Sequence, residues 1–491
     1  MSLSGALSVA LSGLQVSTTA AQVISGNISN AQTPGYTEKS IDLSAITSGS
    51  SLGGVEISGY SRITNSVLAA TLNNATSTAS YLSTQNSYLS QVQSLLDSTD
   101  DPPALSSDLS NFQAAWTEYA ANPSDTTLQN TVVSSGEALA NTINDIASQT
   151  SILQTNVQND LSTTVTSLNT ALANIQTLNV QITAAIANNQ PIVDLEDERD
   201  NDVNQIAQYT NVTVMQRDNG QIALYTSSGT ALLDGQAQTF SVGPGANTIL
   251  NAAGSDVTAS LTGGSLQAQT DFLSTSTSTA SGVGVITKLQ SQLQTFANMF
   301  YAQTTDSSGN ITNTGGSFED EYVTNGGDSK GFFTDPTIDS NGMPDLSTFQ
   351  VNPDLVNGTE TVPAATAIPI NNAFSTQNLA VTTTVVSPGV YASQTGSFQA
   401  AGQTTSGTYS DITTAILSGF QQAANSVKTQ YATASTQQAY YQSSLSSQTG
   451  VDTDTELVNL TNWENSYAAA AHVISTIQSM MTVLEDMVGT A

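Results

Sequence analysis

Residues 3–36 read LSGALSVALSGLQVSTTAAQVISGNISNAQTPGY. Leu3, Leu7, Ala10, Leu14, Ser17, Ala21, Ile24 and Ile28 recur at alternating intervals of four and three, the seam of a helix that packs along another helix. The seam stops at Asn30. Pro34 biases Thr33 away from helical geometry and Gly35 supports a turn, with Tyr36 just beyond it. No charged side chain precedes Glu38, so the helix has no salt bridges of its own. Its five large aliphatic seam residues (Leu3, Leu7, Leu14, Ile24 and Ile28) bury too little to offset the entropy of ordering the segment. The helix therefore needs partners. The other end of the chain offers a matching seam in Leu457, Leu460, Tyr467, Ala471, Ile474, Met481 and Leu484. The expectation is that the two termini lie side by side, loose in a monomer and ordered in an assembly of many copies.

Outward from the first helix the pattern alternates between helical and extended. Residues 37–63 are mixed and Gly-bearing, with short β-like pieces such as Gly54–Ile57. Helices are predicted over about 64–99, 105–121, 126–189 and 194–209 from the 3.6-residue spacing of their apolar positions. At Thr210 the period changes to two, and Asp218-Asn219-Gly220 turns a hairpin between Val212/Val214 and Ile222/Leu224. A helix returns over about 283–303; 304–409 shows no strong helical pattern and reads as loops with short strands. Two last helices follow, separated by Gly450-Val451-Asp452-Thr453. The expected fold class is α+β and elongated: terminal coiled-coil helices, a long helical bundle and a β-rich inserted middle domain. The expected domains are 1–63 with 449–491, 64–209 with 283–303 and 411–448, 210–282, and an irregular insertion at 304–410.

Composition narrows the function. The 491 residues include 7 Lys+Arg and 39 Asp+Glu, a formal net charge of −32, with no Cys and one His. Ser, Thr, Asn and Gln together make up about 44%, far above ordinary usage. Such charge repels a phosphate backbone and an anionic membrane surface, so neither nucleic acid nor membrane insertion is expected. No uninterrupted apolar run reaches 18 residues, and the start lacks the basic and apolar regions of a secretory signal. Disulfides, thiolate metal sites and Cys nucleophiles are excluded. No phosphate-binding loop, zinc-protease motif or dinucleotide fingerprint is present, so no enzyme, cofactor, catalytic residue or metal site is expected. Asp306–Asn310 and Asp339–Gly342 resemble fragments of calcium loops but lack the full spacing. Asp194, Glu196, Asp197, Glu198 and Asp200 form an acidic cluster, read either as a divalent-cation site or as a solvated helix start with Arg199 pairing locally. Asn27 and Asn30 would fix helix register or simply cap the helix end.

Several segments carry a family resemblance. Asn27-Ile28-Ser29-Asn30-Ala31-Gln32-Thr33-Pro34-Gly35-Tyr36 resembles the Asn-Asn-Ile-Ala-Asn…Thr-x-Gly-Tyr motif near the start of flagellar rod, hook and junction proteins, with Gly26 and Ser29 replacing the commoner Asn and Ala. The continuation Tyr36-Thr37-Glu38 is similar to the hook-associated FlgK family, whereas hook protein more often continues Gly-Phe-Lys. Val193–Asp200 is similar to that family's Leu-Leu-Asp-Gln-Arg-Asp stretch, Gly263–Leu266 to its return into the rod domain, and Asn465–Thr476 to its Ala-Tyr-Gln-Ala-Ala-Ala-Arg-Val-Ile-Ser-Thr end, with His472 at a polar or basic position.

The resemblance implies a structural role: a ring of subunits between hook and filament, with the terminal helices lining an axial tube. It implies hook protein, a second junction protein on the filament side and an export chaperone as partners. It also implies an extracellular place on the flagellum, reached by type III export without a cleaved signal peptide. The implied assembly interface is Leu7, Leu14, Ile24, Asn27, Ile28, Asn30, Pro34, Gly35 and Tyr36 at one end. At the other it is Leu457, Leu460, Tyr467, Ile474, Met481 and Leu484. Two alternatives stand beside it: hook protein or another axial component of the same architecture, and an acidic surface adhesin.

Overall fold

A computed structural model of the chain describes residues 3–48, 51–96, 104–275, 283–301, 318–328, 330–334, 336–337, 345–375, 382–383, 394–395 and 408–489. Helix α1 (Leu3–Asn30) covers the whole seam and stops just before Pro34-Gly35. Four of its hydroxyls donate to carbonyls one turn back: Ser17 to Gly13, Thr18 to Leu14, Thr19 to Gln15 and Ser25 to Ala21. Satisfied in this way, Ser and Thr interrupt the apolar character of α1 very little. The expectation that no segment is apolar enough to cross a bilayer is therefore corrected: α1 is long and apolar enough by length and composition.

Strands β1 (Lys39–Ser48) and β2 (Ser51–Arg62) form one antiparallel hairpin with Lys39 opposite Arg62. It is far longer than the β-like pieces expected. Register shifts at Asp42/Leu43 and Ile46/Thr47 break the two-residue period by which a strand is recognised. The hairpin lies along α1: the Val55 N–H donates to Ser12 Oγ at 3.2 Å, and a Cβ on Gly54 would come within 2.4 Å of that oxygen.

The rod follows. It comprises α2 (Ser66–Leu96), α3 (Ala104–Ala121), α4 (Thr126–Ala187) and α5 (Val193–Tyr209). The 62 residues of α4 span roughly 90 Å at 1.5 Å per residue. Asp125 caps its start by accepting from the Thr127 N–H, and Leu139, Ile143, Val157, Leu161, Leu168 and Ile175 line its buried face. An outer sheet docks on this helix. Its order is β3 (Thr213–Gln216), β4 (Ile222–Tyr225), β5 (Ala231–Asp234) and β6 (Gln236–Ala237), with β7 (Phe240–Val242) and β8 (Ile249–Asn251) as a separate pair. The predicted hairpin is β3–β4, with Gly220 at φ 79° in its turn. A short helix, α6 (Gly264–Phe272), follows the sheet and buries Leu266, Ala268 and Phe272 against α2 and α4. Helix α7 (Val285–Tyr301) continues the rod.

Beyond α7 the sequence predicts no strong helix, and here the structure differs. Helices α8 (Phe318–Thr324), α9 (Pro353–Val356) and α10 (Ala367–Ser375) are present, with β9 (Phe333–Thr334) paired to β10 (Gln350–Val351). They are too short to show a period and are held by what they bury. Phe318, Phe332, Phe333 and Phe374 meet Phe112 with ring centroids 5.5–5.7 Å apart, and Trp116 packs edge-on to Phe318 at 5.7 Å. Asp306–Asn310 and Asp339–Gly342 lie outside the described residues, and a two-residue strand pairing joins 382–383 to 394–395. Helix α11 (Tyr409–Thr449), opened by a Thr408/Asp411 capping box, returns along α2. Gly450 breaks the chain, since a Cβ there would sit 2.4 Å from the Ser446 carbonyl oxygen. Helix α12 (Thr453–Gly489) then returns along α1. The fold is α+β, dominated by long helices.

Candidate assembly interface

The two ends of the chain meet. Asn27, near the end of α1, interacts with Glu456 at the start of α12, and the Glu38 N–H donates to the Thr449 carbonyl at 2.8 Å. The helices therefore run antiparallel. The buried line on α1 is Ala10, Val16, Ser17, Ala20, Ile24 and Asn27, slightly rotated from the predicted seam because the β1–β2 hairpin covers a second face. Leu7, Leu14, Ile28 and Asn30 are half-buried. On α12, Leu460 and Ile474 are half-buried and Ile477 is buried, while Leu457, Tyr467, Met481 and Leu484 are exposed. Met487 is 67% exposed and Leu11 of α1 is 50% exposed. One face of each helix is thus used within the chain, and large apolar side chains remain on the others.

The turn after α1 is built around Asn27, which is fully buried. Its amide Nδ2 donates to the Lys39 carbonyl at 2.8 Å, and its Oδ1 accepts from the Lys39 N–H at 3.1 Å and the Tyr36 hydroxyl at 2.9 Å. Asn27 therefore does not cap its own helix; it pins the hairpin to α1 and also meets Glu456 of α12. Asn30 does cap, donating to the Gly26 carbonyl at 3.0 Å. Pro34 and Gly35 are exposed, and Tyr36 is half-buried with the Lys39 ammonium 4.1 Å from its ring centroid. Gly35 has φ 78°, and a Cβ there would come within 1.9 Å of the Asn201 side chain of α5.

The acidic cluster does more than start a solvated helix: beside the local Arg199–Glu196 pair at 3.7 Å, Asp194, Glu196, Asp197 and Asp200 hold the base of the hairpin. Lys39 pairs with Asp194 and, at 3.3 Å, with Asp197. The Arg62 guanidinium reaches Asp197 at 2.9 Å, Asp200 at 2.7 Å and Glu196 at 3.1 Å. Thr37 adds a hydroxyl bond to Asp197 at 2.7 Å. Burial alone would lower the Arg62 guanidinium, but Asp200, Glu196 and Asp197 outweigh it and hold it above its ordinary value. Arg199, buried, donates to the Gly220 carbonyl at 2.8 Å, and burial lowers it. Lys39, Arg62 and Glu456 were not singled out by the sequence. The available signal was scarcity, since two of only seven basic residues bracket one hairpin.

Residues 89–316 match the family model described as "Flagellar hook-associated protein FlgK helical domain". Over that stretch the chain is similar to a FlgK helical domain. The resemblance to the FlgK family is thereby borne out, and the matched stretch includes the acidic helix start at 193–200. Over 244 residues the chain is 28% identical to "Flagellar hook-associated protein 1" of Bacillus subtilis (strain 168), covering 46% of this chain and 47% of that one. Over 241 residues it is 27% identical to the protein of the same name from Salmonella typhimurium (strain LT2), covering 48% and 43%. The FlgK match thus spans about half the length of these relatives. Among solved structures, that of the flagellar hook junction protein FlgK from Burkholderia pseudomallei is similar over 49% of this chain and 45% of that one, at 26% identity and a TM-score of 0.40.

Proposed function

We propose that this chain is a structural component of the bacterial flagellum, an adaptor at the hook–filament junction that assembles through its terminal helices. One observation carries the reading: α1 and α12 pack antiparallel yet leave large apolar side chains exposed on their outer faces. A helix buried on one side and apolar on others belongs between several neighbours. The match of residues 89–316 to a FlgK helical domain and the names of the matched relatives support a flagellar setting for those neighbours. In this reading α1 and α12 continue a tubular lattice, with Leu7, Leu14, Ile28, Pro34, Gly35, Leu457, Tyr467, Met481 and Leu484 among the groups facing other subunits. The domains are the terminal unit (1–63 with 449–491), the rod, the outer β unit at 210–282 and the insertion at 304–410. The partners are further copies of the chain in a ring, hook protein on one side and a second junction protein toward the filament. An export chaperone precedes assembly, and the site of action is extracellular. The role is geometric and not catalytic.

Electron microscopy of a strain lacking this chain tests the reading. Hooks without filaments are expected, restored by the full-length chain. Absence of hooks would overturn it in favour of hook protein, and normal flagella would remove the chain from the axial structure.

A further inference from the structure

Basic side chains are rare in this molecule, yet Lys39, Arg62 and Arg199 converge on the first two turns of α5. Asp197 is 6% exposed and takes Arg62, Lys39 and Thr37 together. The Glu196 carboxylate stands between two guanidiniums: one oxygen accepts from Arg62 Nε at 3.1 Å, and the other lies 3.7 Å from Arg199 Nη2. Arg199 in turn holds the Gly220 carbonyl in the β3–β4 turn. A single stretch of helix thus grips the β1–β2 hairpin on one side and the outer sheet on the other. The hairpin is itself fixed to α1 through Asn27 and Ser12. Around this node the backbone crosses between the terminal unit and the rod twice, at 63–65 and 449–452, and 31–38 links α1 to the hairpin beside them. Glu38 bonds Thr449 there, and Asn65 bonds Gln448.

We propose that this node is an orientation lock. It fixes the angle between the α1–α12 pair and the rod in the free chain, so that the exposed apolar faces reach a neighbouring copy already aimed. The mention of a neighbouring copy rests on the proposed function; the lock is a property of the single chain. Two short connectors alone would act as a hinge. Ion pairs shielded from water are directional and resist screening, and removing one partner strands the other's charge. Arg62 is the positioning residue, because its fork alone reaches Glu196, Asp197 and Asp200 together.

The chain has no cysteine, so two introduced ones carry spin labels without background. Thr18→Cys on α1 and Ser162→Cys on α4 are both exposed positions. Pulsed electron paramagnetic resonance on the monomeric full-length chain is expected to give one narrow distance distribution. Arg62→Gln is expected to broaden it about twofold or more, with Arg62→Lys intermediate and the melting of the rod unchanged. Asp200→Asn, a milder variant at a half-exposed carboxylate, is expected to broaden it less and covers the case in which Arg62→Gln misfolds. A distribution already broad in the parent chain, or one unchanged in both Arg62→Gln and Asp200→Asn, would overturn the lock. Because only monomer is measured, failure here is separable from failure of the junction role.

Discussion

Asn27 shows how this chain uses its polar side chains. A carboxamide offers one donor and one acceptor at nearly the spacing of a peptide group, so it can serve one strand residue as a neighbouring strand would. Asn27 does this for Lys39, Asn169 for Phe240 and Asn179 for Ile222, each with paired bonds of 2.8–3.1 Å. Asn27→Ala would strand the Lys39 N–H and carbonyl in a buried turn, at a cost of about 1–3 kcal/mol. Urea unfolding should show the loss, and amide exchange at residue 39 should accelerate while the α4 core stays protected. Glu456 raises the opposite case. Burial first and the Glu38 carboxylate second push it above its ordinary 4.5, against the influence of Asn27, and its Oε2 has no partner. The folded state therefore holds this proton more tightly than the unfolded chain. Its contribution to stability is complete below pH 4.5 and is lost as pH rises through the raised folded value. Glu456→Gln should raise the melting temperature at pH 7 relative to the parent, and the difference should vanish toward pH 4. A variant less stable at pH 7 would contradict this.

At the scale of elements, the close approaches decide which positions tolerate change. Gly264 opens α6 with φ 65°, and a Cβ there would lie 2.2 Å from the backbone carbonyl carbon of Tyr209. Backbone cannot give way as a side-chain tip can. Gly264→Ala is therefore expected to cost more than about 2 kcal/mol in denaturant unfolding. Gly229→Ala, also at positive φ (87°) but facing open space, should cost only about 1 kcal/mol. Equal effects would show that strain at φ, and not the approach of α6 to α5, sets the cost. The same contrast explains what was legible beforehand. The long helices could be read because Leu, Ile and Val keep their period through Ser/Thr-rich sequence whose hydroxyls bond within the helix, as Thr166 and Thr170 do. The β1–β2 hairpin could not, because its register shifts disrupt alternation. Helices α8 and α10 were hidden because they are short and rely on Phe112 and Trp116, more than 200 residues earlier. The hairpin anchor was hidden for a similar reason: Lys39 and Arg62 meet carboxylates 134–158 positions away.

At the scale of the molecule, charge opposes the assembly that the terminal helices require. The net charge is −32. Helix α1 has no charged residue, and α12 carries Asp454, Glu456, Glu464, Glu485 and Asp486 with no Lys or Arg in either helix. Two of the seven cations, Lys39 and Arg62, are committed to carboxylates of α5 within the chain. Bringing α1–α12 pairs together therefore adds negative charge to negative charge with little positive charge to offset it. The screening length is about 30 Å at 0.01 M salt and about 8 Å at 0.15 M, so neighbouring pairs feel one another in the first condition and far less in the second. Assembly of the purified chain, followed by sedimentation, is expected to weaken on dilution of NaCl from physiological to low concentration. Salt also strengthens apolar association, so the sign alone does not identify the cause. Replacing Glu464, Glu485 and Asp486 by Gln, Gln and Asn separates the two. If charge opposes assembly, the triple variant should associate more strongly at low salt and lose most of its salt dependence. If apolar burial dominates, it should follow the parent at every concentration, and the electrostatic account would fail.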